Sequence, residues 1–184
     1  MKDLKHLIYF ESLLENANNE LVQKAQAEGN LALGYTCYHV PEALLNVGNC
    51  FSVRLRAPHT GSIDIATYYM SNYTCEFARA LVERGIEGGY QFLDAMIGVD
   101  ACSMMNRAME HFEILKVNDK PNFFVTHCDI PYKITDYTLD SYVKQMRIHV
   151  LDKLTEVYGV DAPDAAIRQA VAEHNEVCSI TVSY

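Results

Sequence analysis

Positive charge is what this chain is shortest of. Its 184 residues carry 15 Lys+Arg against 24 Asp+Glu, for a formal net charge of -9. Binding a phosphate backbone requires clustered Lys and Arg, so nucleic acid is excluded as the main partner. The same deficit argues against docking on an anionic membrane. Long apolar runs are missing too, since none approaches the roughly 18 residues that span a bilayer. After the opening Met1-Lys2-Asp3-Leu4-Lys5-His6, Glu11 and Glu15 interrupt any signal-peptide core and no cleavage site follows, which predicts a cytosolic protein. Neither GxGxxG nor GxxxxGK[ST] occurs, so dinucleotide and ATP binding are unsupported. Internal repeats and low-complexity linkers are absent. The remainder, 49% hydrophobic and 21% charged, is ordinary globular composition with enough chain for one sizeable core.

The hydrophobic pattern alternates between strand and helix periods. Leu4, Leu7, Ile8, Leu14 and Leu21 predict one helix to about Glu28, closed by Gly29-Asn30. Leu31–Tyr35 is a short apolar run suited to a buried strand, and Pro41 starts a helical turn through Leu44, Leu45 and Val47. Phe51, Val53 and Leu55 then alternate with Ser52, Arg54 and Arg56 as a strand. Residues 57–74 look irregular, yet they hold Tyr68, Tyr69 and Tyr73, and a loop that long is usually functional. Further on, the pattern predicts a helix over Glu76–Ile86, a strand over Phe92–Val99, a helix over Ser103–Leu115 and a strand over Asn122–Thr126. An amphipathic stripe runs from Leu139 to Val157. A last helix starts at Asp161 and Pro163, with Ile167, Ala170 and Val171 facing inward. Alternating strands and helices imply a three-layer α/β domain: a mostly parallel sheet flanked by helices, Rossmann- or flavodoxin-like.

In such a sheet, ligands bind beyond the carboxyl ends of the strands. Cys37 follows the first strand, while Cys75 and Cys102 each open a helix. Helix starts offer free N–H groups and a positive dipole end, which suit thiolates and anionic clusters. These cysteines stand 38 and 27 positions apart, too far for zinc knuckles built on paired CxxC. They suit a site assembled by folding, in which three thiolates hold three irons of a [4Fe-4S] cluster and leave the fourth open to a substrate oxygen. Against this stands the fact that a free cysteine usually packs as a small hydrophobe. That ordinary role is the expectation for Cys50, Cys128 and Cys178.

Gly34-Tyr35-Thr36-Cys37-Tyr38-His39-Val40-Pro41-Glu42 resembles the GYxCxYxPEE-like signature of the 2-hydroxyacyl-CoA dehydratase family. That family includes the 2-hydroxyglutaryl-CoA dehydratase D-component and the benzoyl-CoA reductase subunits. Cys75-Glu76-Phe77-Ala78-Arg79 resembles its CxFAR segment, and Ala101-Cys102-Ser103-Met104-Met105-Asn106-Arg107 its SCDxMRR-like segment, with Ser103 where the family often has Asp. The resemblance implies that Cys37, Cys75 and Cys102 hold a [4Fe-4S] cluster with an open iron site. It implies elimination of water from an (R)-2-hydroxyacyl-CoA through a ketyl radical after one-electron reduction. A sister dehydratase subunit and an ATP-dependent iron–sulfur activator are its implied partners.

Family subunits carry two similar α/β domains, and this sequence is expected to span the first. It divides into an N-terminal helix over 1–28, a cluster-binding domain over 29–178 and a β-like tail over 179–184. Arg54 and Arg56 are candidates for CoA phosphates or the substrate carboxylate, and as surface arginines are equally expected to be solvated or ion-paired. Arg79 and Arg107 are candidates to offset cluster charge, with helix-surface salt bridges as the plainer role. His39 and Glu42 are candidate proton-transfer groups, although Glu42 also suits the first turn of a helix on its own account. Two other readings stay open: a benzoyl-CoA reductase-like or other small-molecule reductase component, and a non-catalytic α/β interaction domain whose cysteines only pack.

Overall fold

The computed structural model describes residues 4–58 and 60–182. Four strands form one parallel sheet: β1 (Leu31–Tyr35), β2 (Cys50–Arg54), β3 (Ala95–Val99) and β4 (Phe124–Cys128), in the order β2-β1-β3-β4. Register pairs Tyr35 with both Arg54 and Ile97, and Val99 with Cys128, so the four carboxyl ends finish at one edge. Because successive side chains point to opposite faces, β1 and β3 feed two cores. On one face Ala32 and Met96 pack with Ala78, Leu81, Val82, Met109 and Phe112 from the helices α4 (Glu76–Ile86) and α5 (Ser103–Ile114). On the other, Leu33, Tyr35, Ala95, Ile97 and Val99 pack with Leu45, Met146, Val150 and Leu154. The expected three-layer α/β architecture is what the chain forms.

The second layer is built from a 3-10 turn, Glu42–Asn46, and one long helical stretch. That stretch runs as α6 (Asp136–Met146), a π-helical turn (Arg147–Leu151) and α7 (Asp152–Tyr158). Thr135 caps α6 in a reciprocal capping box with Thr138, and Gly159 ends α7 in the left-handed region at φ 69. At the amino edge of the sheet, the buried Asp94 carboxylate accepts from Ala32 N–H at 2.8 Å and from Lys120 Nζ at 2.7 Å, tying β1 to the segment before β4.

Several boundaries differ from the sequence pattern. The single N-terminal helix is two, α1 (Leu4–Glu15) and α2 (Glu20–Ala27), because Asn19 turns its side chain onto the N–H groups of Leu21 and Val22 and restarts the helix. No residue of α1 is buried. The loop over 57–74 contains a helix, α3 (Asp64–Tyr69), held where the buried Glu83 carboxylate accepts from Ala66 N–H at 2.6 Å. The third strand starts at Ala95, since Phe92 and Leu93 pack from a turn; the fourth lies two residues later than expected and ends on Cys128. The last helix, α8 (Asp164–Val182), buries Ala170 but leaves Val171 outward. It also continues through Cys178–Val182, so the β-like tail is helical there; residues 183 and 184 lie outside the described residues, as do 1–3.

Candidate functional site

The chain leaves β1 toward β2 through one face of the sheet and leaves β3 toward β4 through the other. The two departing loops therefore diverge, and the crevice between them is the topological switch point of the sheet, where α/β proteins bind ligands. Cys37 stands two residues beyond β1, half-buried against the second core. Cys102 stands three residues beyond β3 as the N-cap of α5, and Cys75 is the N-cap of α4, the neighbouring helix. Both thiols are exposed, and neither caps its own helix by a side-chain hydrogen bond. Cys75 N–H instead donates to Met104 Sδ at 3.2 Å, so the two helix starts are linked directly. Met104 was not among the residues the sequence singled out, and only its place two positions after Cys102 marks it.

The other cysteines separate as chemistry would have it. Cys50 and Cys128 are buried in the sheet, and burial pushes their thiols up to about 12 and about 11. Those values describe packed, inert groups at neutral pH. Cys178 lies exposed on α8, 3.5 Å from His174 Nε2 one turn back.

Cys37, Cys75 and Cys102 stand at or near helix starts on the strand-exit side of the sheet, Cys75 and Cys102 exposed and Cys37 half-buried, and thiols are the donor type that iron–sulfur clusters take. Among the described residues, however, no group of three or more His, Cys, Asp and Glu side chains gathers closely enough to hold a metal ion. A cluster of four irons spreads its cysteine ligands farther apart than a single ion does.

The remaining candidates take definite places. Glu42 Oε1 accepts from Ser52 Oγ at 2.9 Å, bracing the 3-10 turn against the edge strand β2. Burial first, then the Glu42 charge and a hydrogen bond to it, push the Tyr35 phenol up to about 12, with Arg54 opposing. Glu42 is thus occupied as a strut. His39 is exposed, its ring against Tyr38 at 4.1 Å, and its carbonyl accepts from Tyr142 Oη at 3.2 Å. Arg54 and Arg56 are exposed at and just past the end of β2, and both line an open cavity of about 320 Å³ beneath α1 and α2.

Arg107 makes an i,i+3 ion pair with Glu110 and has the plainer role. Arg79 differs. It is buried and without an ion pair among the described residues, its Nε donating to Thr74 carbonyl at 3.3 Å and its Nη1 to Thr67 Oγ1 and Asn72 Oδ1 at 3.4 Å each. A buried guanidinium with only neutral partners, fixed to the residue before Cys75, favours negative charge nearby. Glu83, one turn further along α4, escaped the sequence reading because nothing in its spacing separates it from an ordinary surface acid. Tyr68 and Tyr73 are almost fully exposed, Tyr73 two residues before Cys75.

Fold and edge together define an α/β protein with a thiol-bearing switch point. A family model described as 2-hydroxyglutaryl-CoA dehydratase, D-component, matches residues 37–182. The chain belongs to that family. It is similar to the subunit beta of (R)-2-hydroxyglutaryl-CoA dehydratase of Acidaminococcus fermentans, with 22% identity over 85% of this chain and 40% of the relative. It is also similar to the (R)-phenyllactyl-CoA dehydratase beta subunit of Clostridium sporogenes, with 19% identity over 91% of this chain and 43% of the relative. The chain therefore spans about two fifths of the length of these curated relatives. No helix among the described residues is long and apolar enough to cross a membrane.

Proposed function

We propose that this chain provides the cluster-holding half of an (R)-2-hydroxyacyl-CoA dehydratase subunit. The observation that carries the reading is the placement of three cysteines near one edge of the sheet in a chain of this family. The topology puts Cys37 and Cys102 on either side of the switch point with Cys75 on the adjoining helix, and the family match spans all three. When bound, a [4Fe-4S] cluster supplies single-electron reducing power and an open iron for the substrate oxygen, which is what loss of an α-hydroxyl and an unactivated β-proton requires.

The chain's own residues do the rest. Cys37, Cys75 and Cys102 are the ligands, and the unpaired N–H groups at the starts of α4 and α5 favour the negative charge of thiolates there. Arg79 adds a fixed positive charge behind Cys75 and holds the segment that carries it. Arg54 and Arg56, at the end of the edge strand, are the cations available for CoA phosphates or a substrate carboxylate. His39, exposed beside Cys37, is the proton-transfer group of this half, because Glu42 is already engaged by Ser52. A sister subunit and an ATP-dependent iron–sulfur activator complete the system. The exposure of Cys75 and Cys102 weighs against an interaction domain in which cysteines only pack.

The test is anaerobic turnover of the chain with its sister subunit and activator, on a panel of (R)-2-hydroxyacyl-CoA esters plus benzoyl-CoA. Formation of the enoyl-CoA by mass spectrometry supports the proposal. Reduction of benzoyl-CoA with no dehydration of any hydroxyacyl ester overturns it in favour of a reductase.

A further inference from the structure

A second concave site lies away from the thiol-bearing crevice. An open cavity of about 400 Å³ sits between the 3-10 turn, α6 with its π-helical turn, and α8. Leu44, Met146, Leu151 and Ile167 line it with hydrocarbon, and Arg147, Arg168 and the acid Asp164 line it as well. Both arginines are exposed, so their guanidiniums stand at the mouth. In a chain with 15 basic residues and 24 acidic ones, two arginines against the single acid Asp164 at one apolar opening are a local reversal of sign.

One charge has a loose internal partner and the other has none. Arg147 reaches Asp164 only at 4.0 Å, with both side chains more than half exposed, and Arg168 has no ion pair among the described residues. The cavity falls in the range of roughly 300–1,000 Å³ typical of small-molecule sites, which are mostly apolar with a few placed polar groups. Arg147 and Leu151 are also the first and last residues of the π-helical turn, a feature that recurs at functional sites in otherwise α-helical segments.

We propose that this cavity binds an aliphatic carboxylate of medium chain length, its chain against Leu44, Met146, Leu151 and Ile167 and its head group forked by Arg147 and Arg168. Guanidinium geometry matches a carboxylate by paired hydrogen bonds, and the hydrocarbon walls reward the chain. The site does not depend on the iron–sulfur proposal. It does adjoin that edge: the wall containing Leu44 continues from the loop that carries Cys37, and Tyr142, which lines the cavity, donates to the His39 carbonyl at 3.2 Å.

The probe is octanoate, titrated into the full chain by calorimetry, with octan-1-ol as the uncharged control. Saturable one-to-one binding of octanoate is expected, with octan-1-ol and the Arg147→Gln/Arg168→Gln double variant each weaker by about tenfold or more, the loss that a charge-assisted pair implies. Val143→Trp, at an exposed position lining the cavity, is expected to block binding while the chain stays folded by circular dichroism. Absence of saturation at millimolar octanoate overturns the proposal, as does equal binding of octan-1-ol or full retention of affinity in the double arginine variant or in Val143→Trp.

Discussion

Gly34→Ala is the most informative single change to the scaffold of the site. Gly34 lies in β1, three residues before Cys37, on the face that packs against α4 and α5. A Cβ built there would stand 2.8 Å from Leu93 Cδ1, 3.1 Å from Met96 Sδ and 3.3 Å from Leu93 Cδ2, all in a fully buried layer. Overpacking a tight core by one methyl costs about 1–3 kcal/mol. Against this, alanine restricts the unfolded chain and returns about 0.4–1 kcal/mol, because Gly34 has no left-handed backbone to lose. The net expectation is a destabilisation of about 1–2 kcal/mol. With a urea m-value of about 2 kcal/mol/M, the midpoint should fall by about 0.5–1 M.

The assay is equilibrium urea unfolding of the two proteins in parallel. The double variant Gly34→Ala/Leu93→Ala locates the cause, since removing the Leu93 methyls should make the added Cβ neutral or favourable, with a coupling of about 1 kcal/mol. A Gly34→Ala protein as stable as the parent, or two substitutions that simply add, would refute the claim that this glycine exists to admit Leu93 and Met96.

Thiol reactivity should divide by burial: native labelling at neutral pH with a maleimide should modify Cys75, Cys102 and Cys178 rapidly and spare Cys50 and Cys128, as read by peptide mass spectrometry. Uniform protection of all six would favour packing roles throughout. Stability should fall on the alkaline side. Cys50 and Cys128 are raised from 9.0 to about 12 and about 11, and Tyr35 and Tyr158 from 10.0 to about 12, chiefly by burial. Above pH 9 the unfolded chain loses these protons first, so the fold's advantage is complete below that pH and is lost as pH rises through 11 to 12; thermal melts across pH 8–11 check it. Glu83→Ala leaves Ala66 N–H without its partner, at a cost of about 1–3 kcal/mol, and should speed proteolysis within residues 57–74 while circular dichroism shows the rest intact.

The sheet was legible because its apolar runs are short and bounded by Gly, Pro and Asn. Leu31–Tyr35 and Glu76–Ile86 come out with the boundaries their patterns imply. What escaped detection depends on distant partners. α3 forms because a carboxylate 17 positions away meets its backbone, which no local pattern records. The N-terminal helix breaks because Asn19 competes for its own backbone, a capping signal hidden inside an otherwise helical spacing. The tail followed its β-branched residues in the sequence reading, but α8 continues, so its local strand preference did not decide. The location of Cys37 just after β1, and of Cys75 and Cys102 at the starts of α4 and α5, was legible from position. The clamping of Glu42 by Ser52, and the burial of Arg79 among neutral partners, belong to folding alone.

In the proposed function Cys37, Cys75 and Cys102 share one inorganic centre. Anaerobic reconstitution with ferrous iron and sulfide, followed by iron and sulfide determination on the parent and four cysteine-to-alanine variants, tests this directly. About four irons per chain are expected for the parent and for Cys178→Ala, with broad thiolate-to-iron absorption, and loss of both metal and colour in each of Cys37→Ala, Cys75→Ala and Cys102→Ala. Iron content unchanged by those three substitutions, or a parent chain that takes up none in company with its sister subunit, would contradict it.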